Sequence, residues 1–229
     1  MTYISNLPFA VLAAAVTIFP LSATQVFMTP PGSSTGGGPV NAMVSFAAGA
    51  GTLTVTLVDL QANPTSVAQL LSDLEFTVSL LGTTSLSSSS ANFVTVNANG
   101  STSSAGSGST GWVLNSLGGS NYTLCDVGCV GAAGPAHLII GPGPYTNANG
   151  SIAGNGPHNP FIDQTATFTI SNSNITQNTT VSNIMFSFGT TAGIFVNGDP
   201  GTIPEPATTG FVGLGTLLSL LGVRAKRKG

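Results

Sequence analysis

The amino-acid sequence predicts an all-β fold: an antiparallel β-sandwich or jelly roll with one short helix, between an N-terminal signal helix and a C-terminal transmembrane helix. Short segments of the chain alternate between apolar and polar residues with the period of two that a half-buried strand requires. Clusters of Gly, Pro, Asn and Ser separate these segments, as turns do in antiparallel sheets. No Gly-rich phosphate loop joins a strand to a helix. These three observations favour a β-sheet domain over a nucleotide-binding α/β fold.

The first 23 residues have the character of a secretory signal peptide. An apolar stretch ends in the small residues Ser22 and Ala23, which predicts cleavage after Ala23. Residues 1–8 contain no lysine or arginine, so either the signal is atypical or translation starts upstream. The run of proline and glycine that follows predicts a linker over 24–40.

The body of the protein, residues 41–202, is predicted to be one domain of eight strands. Ser66–Gln69 has the spacing of a capping box and predicts the short helix, which is expected to carry Val67, Leu70 and Leu71. Two connections, Asn97–Gly111 and Gly141–Pro160, exceed the usual loop length and are expected to be mobile or to bear a ligand. The predicted strands are Thr52–Asp59, Leu74–Leu80, Asn92–Asn97, Gly111–Asn115, Asn121–Cys125, His137–Ile140, Thr165–Ile170 and Asn183–Phe188.

Period-two alternation also predicts which side chains of the body point inward. In the first predicted strand, three apolar residues share one face and threonines occupy the other. The expected inward side chains are Leu53, Val55, Leu57, Phe76, Val78, Ile184, Phe186 and Phe188.

The charge of the body excludes several classes of function. It has six acidic residues and no lysine or arginine, which gives a side-chain charge of −6. Nucleic acid is therefore excluded as a partner, because neutralising phosphates needs cations. Phosphoryl transfer and arginine-clamp chemistry are disfavoured for the same reason. The acidic residues are Asp59, Asp73, Glu75, Asp126, Asp163 and Asp199.

The two cysteines of the chain, Cys125 and Cys129, predict a disulfide that closes a tight loop, since the chain is expected to be exported. A Cys/His zinc site would need more ligands than two distant histidines supply. No metal and no cofactor is predicted. Calcium stays an alternative where Asp126, Asp163 or Asp199 meets backbone carbonyls, although no Asp-x-Asp-x-Asp-Gly loop is present.

The sequence predicts no enzyme and no catalytic residue. A Gly-x-Ser-x-Gly elbow between a strand and a helix is absent. Asp73 and Glu75 are interpreted as a solvated edge rather than a hydrolytic pair, and His137 and His158 as structural residues.

Three aromatic residues, Trp112, Tyr122 and Tyr145, have two interpretations. Asparagines lie near them in the sequence, and an aromatic face beside amides suits a hydroxyl-rich ligand such as a sugar. The other interpretation is packing in the core. The position of these side chains, on one exposed face or inside the domain, distinguishes the two.

The C-terminal segment, residues 203–229, combines a rigid motif, an apolar stretch and a basic end. The two prolines of Pro204-Glu205-Pro206 prevent a helix from extending through the motif, so an extended, exposed segment is predicted there. The 17 residues from Ala207 to Val223 contain no charge and predict a helix of ~25 Å, enough to cross a thinned bilayer core. All basic side chains of the chain follow this helix and are expected to stay cytoplasmic: Arg224, Lys226, Arg227 and Lys228.

This order of motif, apolar helix and basic stop resembles the PEP-CTERM sorting signal of bacterial surface proteins. Leu53–Leu57, Gly156–Ile162 and Ile184–Thr190 also look like segments common in such proteins. The resemblance implies recognition by a membrane-embedded exosortase, a transient anchor in the inner membrane, removal of the tail, and delivery to the cell surface or exopolysaccharide matrix of a biofilm. The expected role there is structural or adhesive, with exopolysaccharide as a candidate partner. The alternative is a carbohydrate-binding module whose sugar site lies on the aromatic loops.

Overall fold

The computed structural model describes residues 24–79, 82–131, 137–146, 148 and 150–201, and this part of the chain is all-β. One 3₁₀ helix, Val67–Gln69, interrupts the strands. The strands are β1 (Thr24–Met28), β2 (Ser34–Thr35), β3 (Gly38–Pro39), β4 (Ala42–Ala48), β5 (Thr52–Asp59), β6 (Leu71–Val78), β7 (Ser85–Val96), β8 (Thr102–Gly108), β9 (Val113–Gly118), β10 (Asn121–Cys125), β11 (Ile139–Ile140), β12 (Phe161–Ser171), β13 (Val181–Phe188), β14 (Phe195–Asn197) and β15 (Asp199–Pro200).

Thirteen strands form one branched sheet in the order β14-β13-β6-β11-β12-β5-β4-β1-β15. The sheet branches at β6, which also pairs with β10 and through it with β9, and at β12, which also pairs with β7 and through it with β8. The short strand β11 connects the two branch points, because Ile139 lies opposite both Leu71 of β6 and Ile162 of β12. The β11–β12 pairing is parallel and the other pairings are antiparallel. The hairpin of β2 and β3 stands apart as a two-stranded sheet.

The core collects side chains from strands that are far apart in this order. The rings of Phe46 on β4 and Phe76 on β6 lie 5.5 Å apart, and those of Trp112 and Phe168 lie 5.4 Å apart. All eight side chains predicted to point inward are buried. The register predicted from period-two alternation is therefore confirmed.

All eight predicted strands overlap observed ones, and β5 and β10 have the predicted bounds. The helix is shorter than the pattern suggests. Ser66 and Gln69 form the predicted capping box, but Leu71 already belongs to β6 because its backbone joins the sheet opposite Phe188.

The linker predicted for 24–40 is wrong for its first residues. Thr24–Met28 forms β1, which pairs with β4 along its whole length and with β15 at its end. The side chain of Gln25 fixes this strand to a distant turn: its amide donates to the Thr179 carbonyl at 3.0 Å, and its oxygen accepts from the Val181 N–H at 3.0 Å. The proline and glycine residues lie in the turn and hairpin that follow.

The long loop predicted for Asn97–Gly111 is also wrong in its main part, because it contains β8. This strand consists of Ser, Thr, Gly and Ala, and every residue in it is exposed. It has no buried face to produce an alternating pattern, so pairing with β7 is what defines it as a strand.

The predicted signal helix and transmembrane helix lie outside the described residues. Within the described ranges, the structure has no helix of the length and apolar character needed to cross a bilayer.

Candidate functional site

The structure confirms the disulfide between Cys125 and Cys129, whose Cα atoms lie 6.1 Å apart. Cys125 is the last residue of β10, and the register places it opposite Asp73 of β6. The bridge therefore closes the turn that leaves β10. This turn lies over the strand that carries Asp73.

An acidic cluster lies beside this turn. The Asp73 carboxylate accepts hydrogen bonds from the backbone N–H groups of Asp126 (3.1 Å) and Val127 (3.3 Å), and from the Ser72 hydroxyl (3.1 Å). Asp73 is buried, so the solvated edge expected for it is wrong. Its two bonds from the backbone N–H groups of Asp126 and Val127 fix the start of the disulfide turn to β6. Asp126 is 4% exposed, and neither of its carboxylate oxygens has a hydrogen-bond partner.

Burial raises the pKa of every acid in this cluster. It raises the pKa of Asp73, and the pKa of Glu75 rises because of burial and the neighbouring Asp73 charge. For Asp126, burial first and the charge of Asp73 second raise the pKa to about 8. The body contains no lysine or arginine to compensate a buried negative charge. At neutral pH Asp126 is therefore mainly a neutral acid.

The cluster does not have the donor set of a metal centre. One carboxylate oxygen of Asp73 and the sulfur atoms of Cys125 and Cys129 lie within 4.8 Å of one another. The two sulfurs are bonded to each other, so they offer no thiolate to a metal. Asp163 and Asp199, the other residues considered for calcium, lie on β12 and β15.

The three aromatic residues considered as sugar contacts are buried, which corrects that interpretation. Trp112 is 3% exposed and its indole N–H donates to the His137 carbonyl at 3.0 Å. The Tyr145 hydroxyl donates to the Gly141 carbonyl at 2.8 Å, and the Tyr122 hydroxyl lies 3.0 Å from the Thr84 hydroxyl. Each polar end is satisfied inside the protein, so these side chains serve packing.

A polar groove on the outer side of β7, β8 and β12 was not predicted from the sequence. It consists of two adjoining cavities of about 570 and 510 Å³, which share Asn92, Ser107 and Asp163. We call it the β7–β8–β12 groove. Its other lining residues are Ser90, Ala91, Phe93, Val94, Thr102, Ser104, Gly106, Gly108, Gln164, Thr165 and Thr167.

Two irregularities in strand pairing shape this groove. Between the pairs Ile162–Phe93 and Ala166–Ala91, β12 contains residues 163–165 where β7 has only Asn92. Gln164, at the centre of this bulge, has a φ of 61°, in the left-handed region that non-glycine residues seldom adopt. A second bulge follows Phe93 on the β8 side. Bulges redirect side chains at sheet edges and binding sites, and here they surround the three shared groove residues.

The groove could not be recognised from the sequence because it depends on β8. Asp163 appeared only as a candidate for calcium, and Asn92 only as the start of a strand. The available signal was weak: an adjacent acid and amide, Asp163-Gln164, within a strand that otherwise alternates.

The residues of the predicted sorting signal lie outside the described part of the chain. They are the motif Pro204, Glu205 and Pro206 and the basic stop Arg224, Lys226, Arg227 and Lys228.

Comparison of the chain with protein-family models, with curated proteins and with solved structures gave no match.

Proposed function

We propose that this protein is an exported, exosortase-sorted component of the cell surface or exopolysaccharide matrix, with a structural or adhesive role. The observation that carries the proposal is the order of Pro204-Glu205-Pro206, an uncharged stretch of 17 residues and a cluster of four basic residues. The apolar stretch and the basic residues act as a stop-transfer signal during export, and the rigid motif is then accessible to a processing enzyme outside the membrane. Before processing, the helix anchors the protein in the inner membrane. After processing, the body is released to the surface.

The body, in this proposal, is a β-sandwich. One layer is β14-β13-β6-β10-β9 and the other is β15-β1-β4-β5-β12-β7-β8, which follows from dividing the branched sheet at β11. The contacts of Phe46 with Phe76 and of Trp112 with Phe168 support this division. The first joins β4 to β6, and the second joins the residue just before β9 to β12, so each contact links the two proposed layers.

The chemistry of the body supports delivery outside the cytoplasm. A disulfide persists in oxidising compartments and is rare in the cytosol. Asp73 accepts hydrogen bonds from the backbone N–H groups of Asp126 and Val127, so its carboxylate has a structural role in holding the disulfide turn.

Replacing the motif tests the proposal. In the triple variant Pro204→Ala, Glu205→Ala and Pro206→Ala, we expect the protein to be exported but retained in the membrane, with at least a tenfold fall in released protein. The extended segment is lost because alanine permits the helix to continue toward the body. The measurement is cell fractionation with one antibody against the body and one against the C-terminal peptide.

A matched control keeps the motif and changes its neighbours. Thr208→Ala with Thr209→Ala should be released as the wild type is. Release of the triple variant at the wild-type level would refute recognition of the motif.

A further inference from the structure

We propose that the β7–β8–β12 groove binds a neutral polysaccharide chain. The inference rests on the proposed matrix role and adds to it a site and a class of ligand. Four features of the groove carry it: the chemistry of its lining, an aromatic wall, its charge, and its strained backbone.

The lining matches the hydroxyl groups of a sugar. Asn92 presents an amide, and Ser107 and Thr165 present hydroxyls. Gln164 and Asp163 add an amide and a carboxylate, which are joined by a hydrogen bond of 3.1 Å from Gln164 Nε2 to Asp163 Oδ1. Amides and hydroxyls both donate and accept hydrogen bonds, as sugar hydroxyls do, and the carboxylate adds a strong acceptor. Asn92, Gln164 and Ser107 are exposed and Asp163 and Thr165 are half-buried, so a ligand can reach all five.

Phe93 supplies an apolar wall to the same groove. Its side chain is half-buried and lines the second cavity. The His137 ring lies 4.9 Å from the Phe93 ring, and its Nδ1 lies 2.6 Å from the Pro160 carbonyl oxygen. Phe93 also packs against the hydrophobic core, so its ring is fixed on the inner side, and its remaining exposed part borders the groove. An aromatic surface among polar groups is the combination that holds the apolar face of a sugar ring while its hydroxyls are bonded at the rim.

The charge of the groove selects against acidic ligands. Asp163 is the one charged residue among the lining side chains of the described groove, and residues 24–201 contain no lysine or arginine. A uronate, sulfate or phosphate group would meet a carboxylate and no compensating cation. A neutral chain avoids this repulsion.

The size and backbone of the groove fit a binding site. Each of its cavities lies within the range of about 300 to 1,000 Å³ that is common for ligand sites. Gln164 holds a left-handed backbone conformation that non-glycine residues seldom adopt, and such strain is concentrated at binding sites. The strain and both bulges occur where the two cavities meet.

Filling the groove tests this proposal. Ser107 is an exposed residue of β8 that lines both cavities, and tyrosine is favourable in strands. Ser107→Tyr should therefore block the groove without disturbing the core. Ser103→Tyr is the matched control: the same substitution, on the same strand, at an exposed residue that does not line the groove.

Binding is measured on the full chain by titration calorimetry. The probes are neutral hexasaccharides of β-1,4-glucan, α-1,4-glucan, β-1,4-mannan and β-1,4-N-acetylglucosamine, with hexagalacturonate as the acidic comparison. We expect at least one neutral hexasaccharide to bind. We expect Ser107→Tyr to weaken that binding at least tenfold, Ser103→Tyr to change it less than twofold, and hexagalacturonate to bind at least tenfold more weakly.

Three results would overturn the proposal: no binding of any neutral probe, binding that Ser107→Tyr leaves intact, or preferential binding of hexagalacturonate. A change in self-association in both tyrosine variants, without sugar binding, would identify β8 as an edge for a second copy instead. The proposed surface location is tested separately by fractionation, so the failure of one proposal is distinguishable from the failure of the other.

Discussion

Phe186→Ala is expected to lower the free energy of unfolding by about 3 to 5 kcal/mol. Phe186 is fully buried on β13, where it lies opposite Leu74 of β6 and Val196 of β14. The Phe186 ring packs closely against Gly198 of the neighbouring segment. The space between them is too small for a side chain, because a Cβ atom at Gly198 would lie only 2.9 Å from Phe186 Cε2. β13 is paired on both sides, with β6 and with β14, so its backbone is held in place and cannot collapse into the space that alanine would leave.

Phe195→Ala is the matched control for this loss. Phe195 lies on the neighbouring strand β14 and is 39% exposed. Its replacement by alanine should lower the free energy of unfolding by less than about 1 kcal/mol. The measurement is urea denaturation of both variants with the slope compared to the wild type. Equal losses in the two variants would contradict the assigned register.

The protein is expected to become less stable as the pH rises from 5 to 8, and Asp126 is expected to contribute to this loss. Its pKa is about 8 in the folded protein, against about 3.9 in an unfolded chain. Between these values the folded state holds a proton that the unfolded state has released. Stability is therefore full below the unfolded pKa and falls as the pH rises toward the folded pKa, by up to about 1.4 kcal/mol per pH unit.

Asp126→Asn isolates this effect, because the amide has nearly the same shape and does not ionise. At pH 5 the free energies of unfolding of the variant and the wild type should differ only by the effect of replacing a neutral carboxylic acid with an amide. Between pH 5 and pH 8 the free energy of unfolding of the variant should rise by up to about 4 kcal/mol relative to that of the wild type. The pKa of Asp59, a fully buried acid, is also raised by burial, so the variant should keep part of the pH dependence. A constant difference between the two proteins across this range would show that Asp126 does not titrate as described.

Most of the buried strands, and the side chains that they direct into the core, could be predicted from the sequence. Alternation in Thr52–Asp59 and Asn183–Phe188 was sufficient to predict both strands and their inward faces, because one side of each strand is buried. β4 has the same alternation, with Ala42, Val44 and Phe46 buried, so this strand too is predictable from its sequence.

Other elements could not be predicted because long-range pairing defines them. β8 has no buried residue, and β14 and β15 are two or three residues long. The run of proline and glycine beside β1 favours a linker over a strand at this position. These strands become recognisable only when their partners are in place.

The candidate sites also differ in how far they can be predicted from the sequence. The disulfide followed from two cysteines four positions apart. The β7–β8–β12 groove brings together Asn92, Ser107 and Asp163 from three strands, one of which the sequence does not show. The burial of Trp112, Tyr122 and Tyr145 depends on tertiary packing, which the residue types alone leave open.

The intact mass of the protein purified from the medium or matrix tests the central claim most directly. If the protein is sorted and trimmed, this form ends before Arg224 and contains no lysine or arginine, so trypsin leaves it uncut, whereas the membrane-bound precursor is still cleaved in its tail. An extracellular form whose C-terminal mass retains Arg224 to Lys228 would contradict processing and would indicate a plain tail anchor or secretion without trimming.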